Sequence, residues 1–254
     1  MSLVLVPLQG IPLIKPGDDL VEIIWDALSR NRLVLQDGDV LVLAQKIVSK
    51  AENCLVNLES VSPSETALRL AGVAGKDPRL VEVILQESRQ VLRTRPGTII
   101  VEHRLGFVCA SAGIDHSNVQ GPDGSGEWVL LLPKDPDASA AAIRRRLEEL
   151  SGVQLGVAII DSHGRAWRLG TVGVAIGVAG IPALVDLRGK LDLFNYRLQI
   201  TQVGAADELA AAASLVMGQA AEATPVVHVR GFPYPFRDCP LAELLRPRDQ
   251  DLFR

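Results

Sequence analysis

Two polar motifs each follow an apolar run of the sequence. Asp115 comes soon after the run 107–110, and the segment 161–165, DSHGR, directly follows the run 156–160. Runs of this composition predict buried strands, so both motifs would lie where strands leave a sheet. Mg²⁺ and Mn²⁺ prefer oxygen ligands and commonly use one or two carboxylates together with phosphate oxygens. Asp115 and Asp161 together are therefore candidates for the metal centre of a nucleotide site.

Each motif taken alone is compatible with a simpler role. An aspartate in a turn often hydrogen-bonds local backbone, which is the better account of Asp115 or Asp161 considered singly. His116 and His163 raise a zinc alternative, but zinc sites typically show further histidines or cysteines at characteristic spacing. The three cysteines are scattered and indicate no disulfide framework. Cys109 is interpreted as a small apolar strand residue rather than a nucleophile.

Phosphate binding would have to use something other than a P-loop. No G-x-x-x-x-G-K-[ST] motif occurs, and the glycine spacing of 170–180 is not a dinucleotide fingerprint. The remaining candidates are backbone N–H groups of glycine turns and the cations Lys46, Lys50 and Arg165. Each cation alone is better interpreted as a solvated surface group.

The overall composition predicts a cytoplasmic protein with no nucleic-acid partner and no membrane partner. There are 26 basic and 30 acidic residues, a net charge of −4, which offers no general attraction to a phosphate backbone. Residues 1–15 lack the basic leader and the longer apolar region of a secretory signal. The segment 169–185 is uncharged, but its four glycines and Pro182 favour a folded segment with close backbone approach over a membrane helix.

Apolar periodicity and turn residues predict the elements that position these motifs. Strands and helices interleave without a regular βαβ rhythm, so a mixed α+β fold is predicted rather than a doubly wound sheet. No repeat or linker marks a boundary, so 1–254 is taken as one domain, and a division into two subdomains is left open. Asp18 or Asp19 would cap the first helix, and 120–127 would be a turn or loop. The predicted strands are 3–6, 40–44, 98–101, 107–110, 128–132, 156–160 and 226–229, and the predicted helices are 20–28, 64–71, 78–87, 137–150 and 205–219.

Taken together, the motifs resemble the coenzyme F-420:L-glutamate ligase family, whose members are also called F-420-0 gamma-glutamyl ligases. The resemblance covers nearly the whole chain, with the motifs in order and at compatible spacing. It rests on GIPLIKPGDDL at 10–20, QKIVSKAE at 45–52, AGIDHSNV at 112–119, LPKDPD at 132–137, DSHGR at 161–165, DELA at 207–210 and LVMGQ at 215–219.

The resemblance implies a reaction, a fold and a set of cofactors. GTP would phosphorylate the terminal carboxylate of the coenzyme's phospholactate side chain, and the amine of L-glutamate would then attack, releasing GDP and phosphate. By this resemblance, the chain is expected to have the family's distinctive mixed fold and to form an intertwined homodimer. It is also expected to have a groove that binds nucleotide, Mg²⁺ or Mn²⁺, and K⁺. The chain is expected to lack the flavin-binding domain that some bacterial relatives append.

The resemblance also implies roles for individual residues. Asp115 and Asp161 match the first metal site and, with Lys50, form the expected catalytic set. Ser162 and Gln219 match a second metal site, but some relatives carry Glu at position 219, so a neutral amide leaves that second site open. The implied nucleotide contacts are Ile11, Pro12, Leu13, Ile14, Gln45, Lys46, Lys50, Asn118, Met217, Gly218, Gln219, Ala220, Ala221, Glu222, Ala223 and Thr224.

Two other functions are compatible with the same motifs. One is a related nucleotide-dependent amide ligase with a different acceptor, and the other is a non-catalytic regulator that binds GTP. The sequence does not identify the base that deprotonates the incoming amine. His116 and His163 are candidates because an unperturbed imidazole titrates near neutral pH.

Overall fold

A computed structural model describes residues 2–121 and 124–251 of the chain, and these form a mixed α+β structure, as predicted. The elements alternate without a βαβ repeat. In chain order they are β1 Val4–Pro7, α1 Leu20–Arg30, β2 Asp39–Ala44, α2 Gln45–Ala51, β3 Leu55–Asn57, α3 Glu65–Ala74, α4 Pro78–Gln86, β4 Ser88–Arg95, β5 Thr98–His103, β6 Val108–Ala110, β7 Trp128–Leu130, α5 Pro136–Ser151, β8 Leu155–Arg165, β9 Arg168–Ala179, β10 Val185–Asp186, β11 Gln202–Val203, α6 Ala205–Met217 and β12 Val226–Arg230.

A five-stranded sheet in the order β1-β12-β2-β8-β9 forms the centre of the protein. The pair β2 and β8 is parallel, and the other pairs are antiparallel. Leu41 and Ile159 face a core that includes residues of α1, α2 and α5, whereas Val42 and Ala158 face a second core that includes α6. Because both faces are covered, the central strands read as continuous apolar runs.

A smaller unit packs beside this sheet and carries the first of the two aspartate motifs. Its three-stranded antiparallel sheet, β4-β5-β6, shares a third apolar core with α3 and α4. A two-stranded pair of β3 and β7 contributes Val129 to the same core. The segment that follows β6 leads from this core towards β7 and contains Asp115.

The glycine-rich segment 169–185 forms most of β9 rather than a membrane helix. A Cβ atom on Gly173 would lie 2.5 Å from the carbonyl oxygen of Ala210 in α6, and one on Gly177 would lie 2.5 Å from backbone atoms of Pro136 in α5. The predicted close backbone approach is therefore confirmed, because both helices pack directly on the strand. Over the described ranges, no helix combines the length and the apolar character needed to cross a bilayer.

Several observed elements differ from the prediction. The helix α2 and the short strands β3, β10 and β11 were not predicted, and two longer strands also differ. The strand predicted to end at Ile160 continues as β8 to Arg165, so Asp161 lies inside a strand and not at its end. Beyond Ile160 the strand pairs only with β9, in a ribbon whose polar side chains do not show the apolar pattern of a buried strand. The half-exposed strand β4 was not predicted for the same reason. The loop predicted at 120–127 is described except for Pro122 and Asp123, which lie outside the described residues.

The packing of α5 on β9 predicts a large effect for Gly177→Ala. The added methyl group would overlap backbone atoms of Pro136, so the free energy of unfolding is expected to fall by about 1–3 kcal/mol in urea denaturation. Gly164→Ala is the matched control, because no heavy atom lies within 4 Å of its Cβ position. It should change stability by no more than about 0.5 kcal/mol. Equal effects of the two substitutions would contradict this account of the packing.

Candidate active site

Several segments converge at the β2–β8 edge, the end of the five-stranded sheet at which the pairing of β2 with β8 stops. Because β2 and β8 are parallel and pair through Ala44 and Ile160, the residues that follow, Gln45 and Asp161, leave this edge side by side. The segment before β12 reaches the same edge, where the N–H of Ala44 donates to the carbonyl of Pro225 over 2.8 Å. This edge therefore collects α2, the β8–β9 ribbon and the loop that follows α6.

An unusual backbone turn brings Asp115 to this edge. Ser111, Ala112 and Gly113 are consecutive residues with φ values of 50°, 53° and 65°. For a residue other than glycine, this left-handed conformation costs roughly 1–2 kcal/mol. Asp115 then exchanges both backbone hydrogen bonds with Leu130, at 3.0 and 2.9 Å. The strained turn and the paired bonds together determine where the Asp115 carboxylate lies.

The carboxylate of Asp115 is held by side chains of α2. Gln45 donates from Nε2 to Oδ2 over 2.6 Å, and Lys46 Nζ lies 3.2 Å from Oδ1. Gln45 is buried, and the hydroxyl of Ser49, one helical turn further on, donates to its Oε1 over 2.8 Å. The bond from Ser49 leaves the amide nitrogen of Gln45 directed at Asp115.

Asp161 lies on β8 and is paired with His163, two residues along the same strand. The Nε2 atom of His163 is 3.0 Å from Oδ2 of Asp161, and both side chains are nearly buried. The ring of Phe107, from the smaller unit, lies 5.4 Å from the imidazole, centroid to centroid. His163 and Asp161 share one face of the strand because side chains alternate along it.

The two carboxylates are close enough to influence each other. Burial raises the pKa of Asp115 to about 6, Lys46 works against this rise, and the charge of Asp161 adds to it. Burial, with a further contribution from Asp161, also raises the pKa of Cys109 to about 12. The Cys109 thiol therefore stays protonated at neutral pH, in agreement with its interpretation as an apolar strand residue.

Two lysines of α2 face the segment that follows Asp115. Lys46 Nζ donates to Ser117 Oγ over 2.9 Å, and Lys50 Nζ donates to the carbonyl of Asn118 over 2.7 Å. Burial, followed by the charge of Lys46, lowers the pKa of Lys50. An ammonium group has three donors. Those of Lys46 face the carbonyl and hydroxyl oxygens of Ser117 and the carboxylate of Asp115, so Lys46 could bind an anionic ligand only by exchanging a contact, whereas Lys50 could use its remaining donors.

The loop after α6 closes another side of the site. Ser162 Oγ donates to Gln219 Oε1 over 2.7 Å, and Asn118 Nδ2 donates to the carbonyl of Ala220 over 3.1 Å. Residues 219–223 are exposed. The structure therefore brings together Asn118, Ser162 and this loop, which are far apart in the sequence.

The two ends of the predicted nucleotide-binding segment 217–224 are buried. Met217 and Thr224 are buried, and Thr224 Oγ1 donates to the Met217 carbonyl over 2.9 Å, which closes the loop at its base. Glu222 accepts from the N–H of Ala220 over 2.7 Å. Of the predicted contacts in this segment, those with exposed side chains are Gln219, Ala220, Ala221, Glu222 and Ala223.

The segment Ile11 to Ile14 is divided between core and surface. Ile11 and Ile14 are buried in the core beneath α1, whereas Pro12 and Leu13 are exposed. The chain enters this segment at the same sheet edge, since the N–H of Leu8 donates to the carbonyl of Val226 over 2.8 Å. Only the two middle residues offer their side chains to a ligand.

The available donors suit a hard divalent cation better than zinc. Between residues 2–121 and 124–251, no group of three or more His, Cys, Asp or Glu side chains is placed to hold a metal. The site instead offers the carboxylates of Asp115 and Asp161, while the oxygens of Ser162 and Gln219 are bonded to each other on the other face of β8. Oxygen donors of this kind, completed by water or phosphate, are typical of Mg²⁺ and Mn²⁺. His116 is exposed and forms no ion pair with either carboxylate in the described part of the chain.

Three contributors to the site were not identified as such from the sequence. Ser49 could have been found, because it lies four residues after Gln45 and so on the same face of a helix. Ser117 stands inside the Asp115 motif, but its contact with Lys46 spans 71 positions. Phe107 had no sequence signal, since only the packing of β6 near β8 brings its ring to His163.

The raised pKa of Asp115 predicts a pH-dependent stability in the metal-free protein. A carboxyl group whose pKa is about 6 when folded and 3.8 when unfolded stabilises the fold most when protonated. That contribution is lost as the pH rises through 6. Relative to the wild type, Asp115→Asn should therefore gain on the order of 2 kcal/mol between pH 4.5 and 7.5, measured by urea denaturation with a chelator. A difference that does not vary with pH would contradict the burial of this charge.

Comparison with known proteins identifies the family. A family model described as F420-0:Gamma-glutamyl ligase matches residues 10–231. The coenzyme F420:L-glutamate ligase of Methanothermobacter thermautotrophicus is 48% identical over 256 residues, covering 100% of both chains. The enzyme of that name from Methanopyrus kandleri is 50% identical over 227 residues, which are 88% of this chain and 86% of the relative. The matched region contains the β2–β8 edge, both aspartate motifs and the loop after α6, and the chain belongs to the F420-0:gamma-glutamyl ligase family.

Proposed function

We propose that the protein is a GTP-dependent ligase that forms an amide bond between L-glutamate and the phospholactate-type side chain of a coenzyme F420 precursor. The names of its relatives support the coenzyme and glutamate as substrates. The observation that carries the proposal is the convergence of Asp115 and Asp161 with Lys46 and Lys50 at one sheet edge. Two carboxylates beside two ammonium groups form a site suited to a metal-bound polyphosphate.

The proposed reaction has two steps. A carboxylate oxygen of the acceptor attacks the γ-phosphorus of GTP, and the bond from that phosphorus to the bridging oxygen breaks to release GDP. The amine nitrogen of glutamate then attacks the carbonyl carbon of the acyl phosphate. The carbon–oxygen bond to the phosphoryl group breaks, phosphate leaves, and a base accepts the amine proton. Holding the three reactants in one groove would provide the proximity that the second step requires.

In this proposal, Asp115 and Asp161 hold Mg²⁺ or Mn²⁺, with Ser162 and Gln219 as further oxygen donors. When bound, the cation would neutralise phosphate charge and polarise the transferred group. Gln45 and Lys46 hold the Asp115 carboxylate in place before any ligand arrives. K⁺ is included because the family resemblance implies it, and neutral oxygens are ligands that this ion accepts.

Lys46 and Lys50 are proposed to bind the phosphates of GTP. Their ammonium groups repel each other, as the lowered pKa of Lys50 reflects after the larger effect of burial. A phosphate between them would offset this repulsion by accepting hydrogen bonds from both, with Lys46 giving up one of its present contacts. Asn118 and the exposed part of the 217–224 loop are proposed to contact the rest of the nucleotide. His116 and His163 stay the candidates for the base.

The activity predicted for the wild-type protein is the metal-dependent addition of one glutamyl unit. Purified protein with the glutamate-free coenzyme, GTP, L-glutamate and Mg²⁺ or Mn²⁺ should yield that product by mass spectrometry, with one phosphate released per amide formed.

Asp161→Ala should lose more than a hundredfold in kcat/KM and retain its fold. Lys50→Ala should raise the KM for GTP, whereas Lys134→Ala, an exposed lysine outside the site, should not.

The same assay separates the alternative functions. GTP binding without turnover under any metal would favour a regulator. Phosphate release that depends on glutamate but requires another carboxylate acceptor would favour a related amide ligase. Phosphate release without an acceptor would contradict the ordered two-step scheme.

We also propose that the protein acts as a homodimer. Within the segment 187–201, between β10 and β11, five large side chains are exposed, including Leu193 at 97% and Phe194 at 89%. Leu191, Tyr196 and Ile200 are the other three. Exposed apolar surface of this extent is typical of a protein interface.

Sedimentation analysis should accordingly find twice the mass of the chain. Phe194→Ser combined with Ile200→Ser should shift the protein towards the monomer, because both changes remove apolar contact area. Leu68→Ser is the matched control, as Leu68 is an exposed leucine on α3, outside this segment. A wild-type protein that is monomeric at micromolar concentration would contradict the proposal.

A further inference from the structure

The strand β9 lies at the edge of the five-stranded sheet, and aspartate side chains from other segments accept its outward N–H groups. Unpaired N–H groups on an edge strand need other acceptors or solvent. Two bonds come from β9 itself, from Ala175 to Asp207 over 2.9 Å and from Val178 to Asp137 over 2.8 Å. A third comes from Gly180, the residue after β9, to Asp238 over 3.0 Å. These aspartates accept the hydrogen bonds that a neighbouring strand would otherwise accept.

The bond to Asp207 coincides with an irregularity in the pairing of β8 and β9. Ile159 lies opposite Gly177, but the next residue, Ile160, lies opposite Ala175. Ile176 is therefore an extra residue in β9, which forms a β-bulge. A bulge bends the strand and redirects the side chains beside it. The residue that follows Ile160 on β8 is Asp161.

The bulge is also the last point at which the main sheet supports the ribbon. Strand β2 ends at Ala44, opposite Ile160, so from Asp161 onward β8 pairs only with β9. The direction in which Asp161 leaves the sheet then depends on the geometry of β9 at the bulge. Asp207 is bonded at this point, through the N–H of Ala175.

Asp207 is itself firmly placed. It lies in the first turn of α6, and the N–H of the preceding residue, Ala206, donates to the carbonyl of Ala183 over 3.2 Å. The close approach of α6 to Gly173 fixes the helix against the same strand. Partial burial raises the pKa of Asp207. A carboxylate withdrawn from water is unfavourable without compensating contacts, so its presence here needs a specific reason.

We propose that Asp207 is a positioning residue for the metal centre. By accepting the N–H of Ala175 it holds the bulge, and through the bulge it sets the direction of the Asp161 carboxylate. Asp207 touches neither metal nor substrate in this role. The inference rests on the proposed function only in taking Asp161 as a metal ligand.

The test is the affinity of the protein for Mn²⁺ in the presence of GDP, followed through the electron paramagnetic resonance signal of free Mn²⁺. Asp207→Ala removes the acceptor and should weaken Mn²⁺ binding at least tenfold. Asp207→Asn keeps a carbonyl oxygen at the same position and should stay within threefold of the wild type. Asp207→Ser, too short to reach Ala175, should resemble Asp207→Ala and replaces it if the alanine variant does not fold.

Asp238→Ala is the matched control, because it removes the same kind of bond from Gly180, the residue that follows β9. It should lower the melting temperature, since Asp238 also pairs with Arg144, but leave Mn²⁺ affinity within twofold. Amide exchange at Ala175 should accelerate in Asp207→Ala and not in Asp238→Ala.

Three results would overturn the role of Asp207: unchanged Mn²⁺ affinity in Asp207→Ala, equal weakening in Asp238→Ala, or an asparagine variant as weak as alanine. These results would leave the proposed ligase activity intact. A wild-type protein that binds no Mn²⁺ would instead show that the proposed metal centre is wrong, and the role of Asp207 with it.

Discussion

The parallel pairing of β2 with β8 is the constraint on which the rest of the site depends. Six residues of each strand pair in register, from Asp39 opposite Leu155 to Ala44 opposite Ile160. This register makes the two strands end their shared ladder together, so α2 begins beside Asp161. A slip of one residue would turn every side chain of the strand to the other face and separate Asp161 from Gln45 and Lys46. The apolar cores on both faces of the sheet oppose such a slip.

The two ends of β2 have opposite electrostatic character. At its first residue, Asp39 is buried and accepts bonds from His228 and Arg230, each within 2.8 Å. Although burial opposes the effect, these bonds hold the pKa of Asp39 below its usual value. At the other end, the pKa of Asp115 is raised, mainly by burial, and two lysines repel each other. One end therefore stabilises the sheet, whereas at the other end burial makes the charged forms of Asp115 and Lys50 less favourable than they are in water.

The candidate site combines strain with rigid support. Left-handed residues precede Asp115, and the bulge in β9 lies beside Ile160, the residue before Asp161, so neither carboxylate leaves an ordinary strand or turn. Each is nevertheless held by a well-packed element, Asp115 by its bonds to Leu130 and Asp161 by the ribbon that α6 covers. Such an arrangement preorganises the two carboxylates, since their positions are set before any metal or nucleotide binds.

Local physical chemistry was sufficient for much of the fold. Apolar runs predicted β2 and β12, and the glycines of β9 indicated close backbone approach. Asp18 or Asp19 was predicted to cap α1, and Asp19 is the cap observed. These features were predictable because burial of one face and capping of a helix involve neighbouring residues. The continuation of β8 past Ile160 was missed, because an exposed ribbon has no apolar pattern to report it.

The sequence by itself determined which residue types were available: two aspartates after apolar runs, two lysines one helical turn apart, and glycines where helices approach a strand. Only the tertiary structure decided which of them meet. The bond from Gln45 to Asp115 spans 70 positions, and the contact of Asn118 with Ala220 spans 102. Contacts of this kind depend on the strand register and on the packing of α2 and α6, which no local sequence pattern indicates. For the same reason, the support of the β9 bulge by Asp207 is visible only in the folded chain.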